Sequence, residues 1–318
     1  MSTDDTASPP LRTTAADPPT RPTVALALGA GGAKGLAHIG AIEELEAQGF
    51  RIVAIAGCSM GALIGGIHAM GKLGVYRDWV SALARFDVLK LLDWTFSGGG
   101  FIKGERIMGT LRELIGDTLI EELPLAYTAV ATDLEREREV WLTRGSLFDA
   151  IRASIAIPTV FRPYHLDGRI LVDGALLNPL PVTPLIRETA DYLMAVSVDG
   201  PAEHVDAAGV PPPEPADPAG WRPRLGEFVS RLLPHGQAGP REPGAFELLN
   251  QSMDLMQANL SRLRLAAYAP DLLIQMPRNA STAYEFYRAR ELIELGRERA
   301  RQALSVWQPV TRQPRSQR

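Results

Sequence analysis

Apolar positions along the chain fall into two alternating rhythms. Thr23 to Leu28 is a short continuous apolar run ending in glycines, and Leu36 to Gln48 then places apolar residues at helical spacing until Gly49 stops it. The unit recurs: Arg51 to Ala56 predicts a strand, Gly57 to Gly61 a turn and Ala62 to Met70 a helix. Further strands are predicted over Ala126 to Thr132, Glu139 to Leu142, Arg169 to Val172, Tyr192 to Val198 and Leu272 to Met276. Helical spacing fills Gly104 to Ile115, Leu147 to Ala156, Pro184 to Glu188, Phe246 to Ala267 and Ala283 to Trp307. This alternation predicts an α/β domain with a mainly parallel sheet and helices on both faces.

Other segments refine that outline. Tyr164 to Leu166 and Arg169 to Val172, joined by Asp167 and Gly168, read as a hairpin. Ile52 to Gly71 carries no Asp, Glu, Lys or Arg and is long enough to span a bilayer, but five glycines interrupt it, and a buried strand, turn and packed helix explain the same apolarity. Met1 to Pro22 has no apolar run and lacks the pattern of a secretory signal; a disordered tail is expected there and again over 309–318. One domain is expected over 23–308, with a proline-rich flexible insertion at about 201–243 that reads either as a lid or as a solvated loop.

Composition then narrows the function. The 318 residues are 46% hydrophobic, enough for a sizeable core. A net charge of −4 gives no global basic field to draw the molecule to nucleic acid. The lone Cys58 excludes an intrachain disulfide framework, fits a reducing compartment and leaves too few thiolates for a cysteine-rich zinc site.

Gly57-Cys58-Ser59-Met60-Gly61 matches the G-x-S-x-G elbow, with the expected strand before it and helix after it. A serine thrust out on so tight a turn needs tiny neighbours two positions away, and Gly57 and Gly61 supply them. Ser59 would sit at a helix N-terminus, where free N–H groups favour negative charge. The bland reading is a structural Gly-Ser turn.

The loop Gly29 to Gly35 also follows a strand and opens a helix, so its N–H groups can converge on one oxygen. A P-loop needs Gly-Lys followed by Ser or Thr, whereas Lys34 precedes Gly35. A dinucleotide loop needs an acid at the end of the next strand, which instead ends in Ala56, Gly57, Cys58 and Ser59. An oxyanion hole lacks no part. Lys34 beside the positive end of a helix needs compensation, from a structural carboxylate or from an anionic head group.

A serine needs a base. Of the five histidines, His38 and His68 lie on predicted helices, His165 in the hairpin, and His204 and His235 in the insertion, a poor place for a rigidly held group. Asp173 is better placed: it ends a hairpin strand, and Gly174 lets the chain turn so that the carboxylate faces the sheet's C-terminal edge.

Gly31 to Gly35, Gly57 to Gly61 and Asp173-Gly174-Ala175 together resemble the patatin-like phospholipases, particularly their compact bacterial members. Ala153-Ser154-Ile155-Ala156-Ile157-Pro158 and Asn178-Pro179-Leu180-Pro181 support the likeness, which covers about Thr23 to Val198. The resemblance implies a three-layer α/β/α fold and cleavage of lipid acyl esters without a cofactor or metal. It implies Ser59 as nucleophile, Asp173 as general base and acid without a histidine, and an oxyanion hole from the Gly31, Gly32 and Met60 N–H groups. Ala30 stands where many members carry glycine, and Lys34 where the family has arginine.

Tyr76 to Phe96 mixes aromatic and basic residues and reads as an interfacial surface or as an amphipathic helix, with Trp94 and Phe96 as candidate lipid contacts. The expected location is cytoplasmic, with transient peripheral contact at the inner membrane face and no nucleic-acid partner; a homodimer is left open. Two other classes compete, a regulatory adaptor on a hydrolase-like fold and a dinucleotide binder.

Overall fold

The computed structural model describes residues 21–85, 87–88, 104–158, 160–203 and 245–309. Trp94, Phe96, His204 and His235, both expected tails except for a few residues, and most of the proline-rich insertion lie outside them.

Among the described residues eight strands form one sheet: β1 (Thr23–Leu28), β2 (Arg51–Cys58), β3 (Ala126–Asp133), β4 (Arg138–Leu142), β5 (Tyr164–Leu166), β6 (Arg169–Asp173), β7 (Tyr192–Gly200) and β8 (Leu272–Pro277). Hydrogen-bonded neighbours run β5-β6-β3-β2-β1-β7-β8, with β4 paired to β3. The pairs β1–β2, β1–β7, β2–β3 and β7–β8 are parallel, and those of β3 with β4 and β6 and of β5 with β6 are antiparallel. The helices are α1 (Ala37–Ala47), α2 (Met60–Ala69), α3 (Leu73–Ser81), α4 (Glu105–Ile115), α5 (Leu147–Ser154), α6 (Ala245–Ala267) and α7 (Ala289–Val306).

The alternation of side chains along β1 makes the layers unequal. Leu26 and Leu28 face a core built with Ile39 and Ile42 of α1, Ile64 of α2 and Ile293 of α7. Each such buried aliphatic side chain contributes about 1.5–3 kcal/mol. The other face of β1 and β2 is alanine: Ala25, Ala27, Ala54 and Ala56 pack under Leu180, Val182, Leu185 and Leu265 of α6. Small residues there let the chain after β6 cross close to the sheet. An α/β fold with helices on both faces of a mainly parallel sheet is therefore present.

Strand register brings two distant chain segments together. Val130 of β3 pairs with Cys58 of β2 and with Trp141 of β4, while Ala131 pairs with Asp173 of β6 and with Val140 of β4. A strand residue has only two flanks, and β4 occupies one of them at both positions. So β2 and β6 share the other flank and meet head-on, β2 ending at Cys58 and β6 at Asp173.

Several element boundaries differ from expectation. Pro184 to Glu188 is a single 3-10 turn, Thr183–Leu185, because so short a stretch closes more readily with i→i+3 bonds. α7 begins at Ala289 rather than Ala283, whose carbonyl is taken by the Ala33 N–H at 2.9 Å. β2 extends to Cys58 because Gly57 and Cys58 still pair with β3. The Asp-Gly hairpin forms as read, with φ of 49° at Asp167 and 70° at Gly168.

Candidate active site

Where β2 ends, the chain reverses into α2 within one residue. Ser59 has φ 54° and ψ −121°, a strained conformation for a residue with a side chain and one that concentrates at functional sites. The turn is as tight as the sequence demanded: a Cβ on Gly61 would collide with the Leu28 carbonyl, and one on Gly57 with the Gly61 carbonyl. Both the Ala62 and Leu63 N–H groups bond the Ser59 carbonyl, at 2.9 and 3.1 Å. The Met60 and Gly61 N–H groups, first donors of α2, have no acceptor among the described residues.

Across the strand junction stands Asp173. Its Oδ1 accepts from the Ala175 N–H at 2.8 Å and from the Cys58 thiol at 3.8 Å. Ser59 stands beside this carboxylate, close enough to hold its pKa down. Ser59 and Asp173 are each 3% exposed. Burial pushes the Asp173 pKa up to about 6, against the opposing pull of the neighbouring Ser59 and of the hydrogen bonds from Ala175 and Cys58.

The glycine loop lies over the elbow, since the Cβ that Gly61 lacks would also crowd the Gly29 carbonyl. Its outer amides are spoken for: Gly29 N–H bonds Val196 O at 3.0 Å, Ala30 N–H bonds Pro179 O at 2.8 Å, and Ala33 N–H bonds Ala283 O. Between them the Gly31 and Gly32 N–H groups have no acceptor among the described residues. Gly32 has φ 53°, and a Cβ there would come within 2.8 Å of the Ala283 carbonyl, so only glycine fits. A recess of about 460 Å³ lined by Val53, Leu125, Tyr127 and Glu188 lies at the opposite edge of the sheet, where β2 and β3 begin, away from Ser59.

A family model for patatin-like phospholipases matches residues 26–186, a span that includes the glycine loop, Ser59 and Asp173. This chain belongs to the patatin-like phospholipase family. An NTE family protein of Mycobacterium tuberculosis is 39% identical to it over 337 residues, covering 90% of this chain and 92% of the relative. The neuropathy target esterase of Drosophila melanogaster is 29% identical over 183 residues, covering 55% of this chain and 13% of that protein. A lysophospholipase of Yarrowia lipolytica is 31% identical over 183 residues, covering 55% of this chain and 12% of that protein.

Within this patatin-like domain Lys34, the residue at the family's arginine position, is turned inward. Its Nζ lies 3.5 Å from Asp199 Oδ1 and 3.4 Å from the Arg278 carbonyl, and the residue is 9% exposed. Of its two expected compensations, the structural carboxylate is the one in place. Burial raises the Asp199 pKa, and the Lys34 ammonium counteracts it.

Among the described residues no histidine is bonded to Ser59 or Asp173. His68 stands 3.7 Å from Glu46, and His165 is exposed on β5. His38 is fully buried, with its pKa lowered to about 4 by burial, so it is neutral at pH 7, and its Nε2 donates to the Gly29 carbonyl at 2.8 Å. That bond anchors the glycine loop, a task the helical position of His38 does not announce. Sequence reasoning also passes over Ser154 and Asp199. The first stands out only as part of a resembling stretch, and the second carries no motif.

No helix among the described residues is long and apolar enough to cross a membrane. The uncharged stretch after Ile52 is a strand, elbow and helix.

Proposed function

We propose that this protein is a serine lipid acyl hydrolase of the phospholipase A, lysophospholipase or esterase type, working through a Ser59–Asp173 pair. The observation that carries the reading is the strained Ser59 set beside a buried carboxylate whose pKa is raised to about 6. A base titrating there is ionised at neutral pH yet remains basic enough to accept a proton.

In the first step Ser59 Oγ attacks the acyl carbon while its proton passes to Asp173. The carbonyl oxygen becomes an oxyanion, met by the N–H groups of Gly31, Gly32 and Met60, each such donor commonly worth about 3–4 kcal/mol. Collapse expels the alcohol, which takes the proton back from Asp173 and leaves Ser59 acylated. Water then gives a proton to Asp173 and its hydroxide to the acyl carbon; collapse releases the free acid, and the departing Ser59 oxygen takes that proton back from Asp173, restoring hydroxyl and carboxylate. The names of the fly esterase and the yeast lysophospholipase support an acyl ester as substrate. Reaching such a substrate in a bilayer calls for transient contact with the membrane surface.

The test is product analysis by mass spectrometry after incubation with mixed phospholipids, lysophospholipids and acylglycerols. Free fatty acid should appear with wild-type protein and be absent with Ser59→Ala; no acid from any lipid class with folded wild-type protein would count against the reading.

A further inference from the structure

We infer that Ser154 is a positioning residue for this reaction, and that with Ala156 it forms a short brace holding Ser59 and Asp173 at their working separation. The inference rests on the Ser59–Asp173 reading and adds a residue to it.

The elbow needs an external support. Ser59 is held at φ 54°, and left alone the backbone would relax to negative φ and swing Oγ away. Its N–H is captured by Ser154 Oγ at 2.9 Å, at the C-terminal end of α5. Ser154 Oγ in turn lies 2.6 Å from the Val130 carbonyl. The proton directions are forced, because a hydroxyl has one hydrogen, an amide cannot accept and a carbonyl cannot donate. Ser154 therefore gives its proton to Val130 and receives that of Ser59. It is 0% exposed, so the bond it makes to the elbow is shielded from competing solvent.

Two residues on, the Ala156 carbonyl accepts from the Asp173 N–H at 3.0 Å. One three-residue segment thus grips the backbones of both members of the pair. Its anchor, Val130, is the β3 residue opposite Cys58, beside the junction where the two strands meet. The Ser154 hydroxyl is committed to backbone on both sides, so it acts through Ser59.

The test compares wild type, Ser154→Ala and Ser154→Cys on p-nitrophenyl butyrate, with kcat and KM measured well below each variant's Tm, and measures fluorophosphonate labelling rates. For Ser154→Ala we expect kcat to fall about 10- to 100-fold, the scale of a misplaced reacting group. KM should stay within about twofold, because the lost contact orients the nucleophile and does not bind substrate. Labelling should slow in step with kcat. Wild-type kcat and labelling in a folded Ser154→Ala would overturn the brace, as would a fall in kcat with labelling unchanged. Should Ser154→Ala not fold, the near-isosteric Ser154→Cys decides: reduced kcat and labelling support the brace, and wild-type values overturn it. Ser59→Ala is run beside these. Turnover surviving in it would remove the functional reading and the brace together, whereas an inactive Ser59→Ala beside a fully active Ser154→Ala would remove the brace alone.

Discussion

Cys58 and Asp173, 115 residues apart, end two strands that run head-on along the same flank of β3, and the Cys58 thiol lies 3.8 Å from Asp173 Oδ1. The junction places the residue after Cys58 against the carboxylate with no long side chain bridging a gap. The thiol hydrogen bond lowers the Asp173 pKa. Replacing Cys58 by alanine should therefore move the acidic limb of the kcat/KM profile to higher pH. An unmoved or downward-shifted limb would show that the thiol does not act on the base.

Burial of Asp173 has a cost that pH reveals. Its folded-state pKa, about 6 against an ordinary 3.8, means the folded protein holds this proton more tightly than the unfolded chain does. The stability this contributes is complete below pH 3.8 and is lost as pH rises to about 6. At about 1.4 kcal/mol for each pH unit, the loss is on the order of 3 kcal/mol. Asp173→Asn should be more stable than wild type at pH 8, with the advantage shrinking toward pH 4; denaturant titrations at the two pH values read the difference directly.

The elbow glycines tolerate no substitution. Gly61→Ala would drive a methyl group into the Leu28 carbonyl, where backbone must give way. A loss of about 1–3 kcal/mol or more in stability is expected, together with most of the esterase activity. Crystallisation of a fully active Gly61→Ala with an unchanged elbow would contradict this.

Much of this is legible in the sequence because the chemistry is local. Gly57, Ser59 and Gly61 lie within five residues, and a tight turn leaves few other residue choices. The alternation of apolar runs likewise reveals the strands and helices. The hidden part depends on register. Nothing near Asp173 says that β6 will abut β2, nothing in the helical spacing around His38 shows its Nε2 reaching back to Gly29, and Ser154 gains its role only when α5 docks beside Val130. The turn at Ala283 reads as helix because apolar spacing cannot show that a carbonyl is committed to a distant amide.

Lys34 serves the loop's structure and not the choice of head group. Paired with Asp199 at 3.5 Å and almost buried, it stabilises the loop. Lys34→Met should leave Asp199 uncompensated and cost about 3–5 kcal/mol, less if the site admits water. The ratio of hydrolysis rates on anionic and zwitterionic phospholipids should stay unchanged; a selective loss on anionic lipid would instead assign the ammonium to the head group.

The most direct measurement is turnover of p-nitrophenyl butyrate by Ser59→Ala, Asp173→Asn, His38→Gln, His68→Ala and His165→Ala, each checked for folding. The account predicts that the first two fall on the order of 10⁴-fold or more, while His68→Ala and His165→Ala keep their activity and His38→Gln, which touches only the loop's anchor, loses far less than Ser59→Ala. A histidine variant as inactive as Ser59→Ala, or an Asp173→Asn that turns over ester at the wild-type rate, would contradict it.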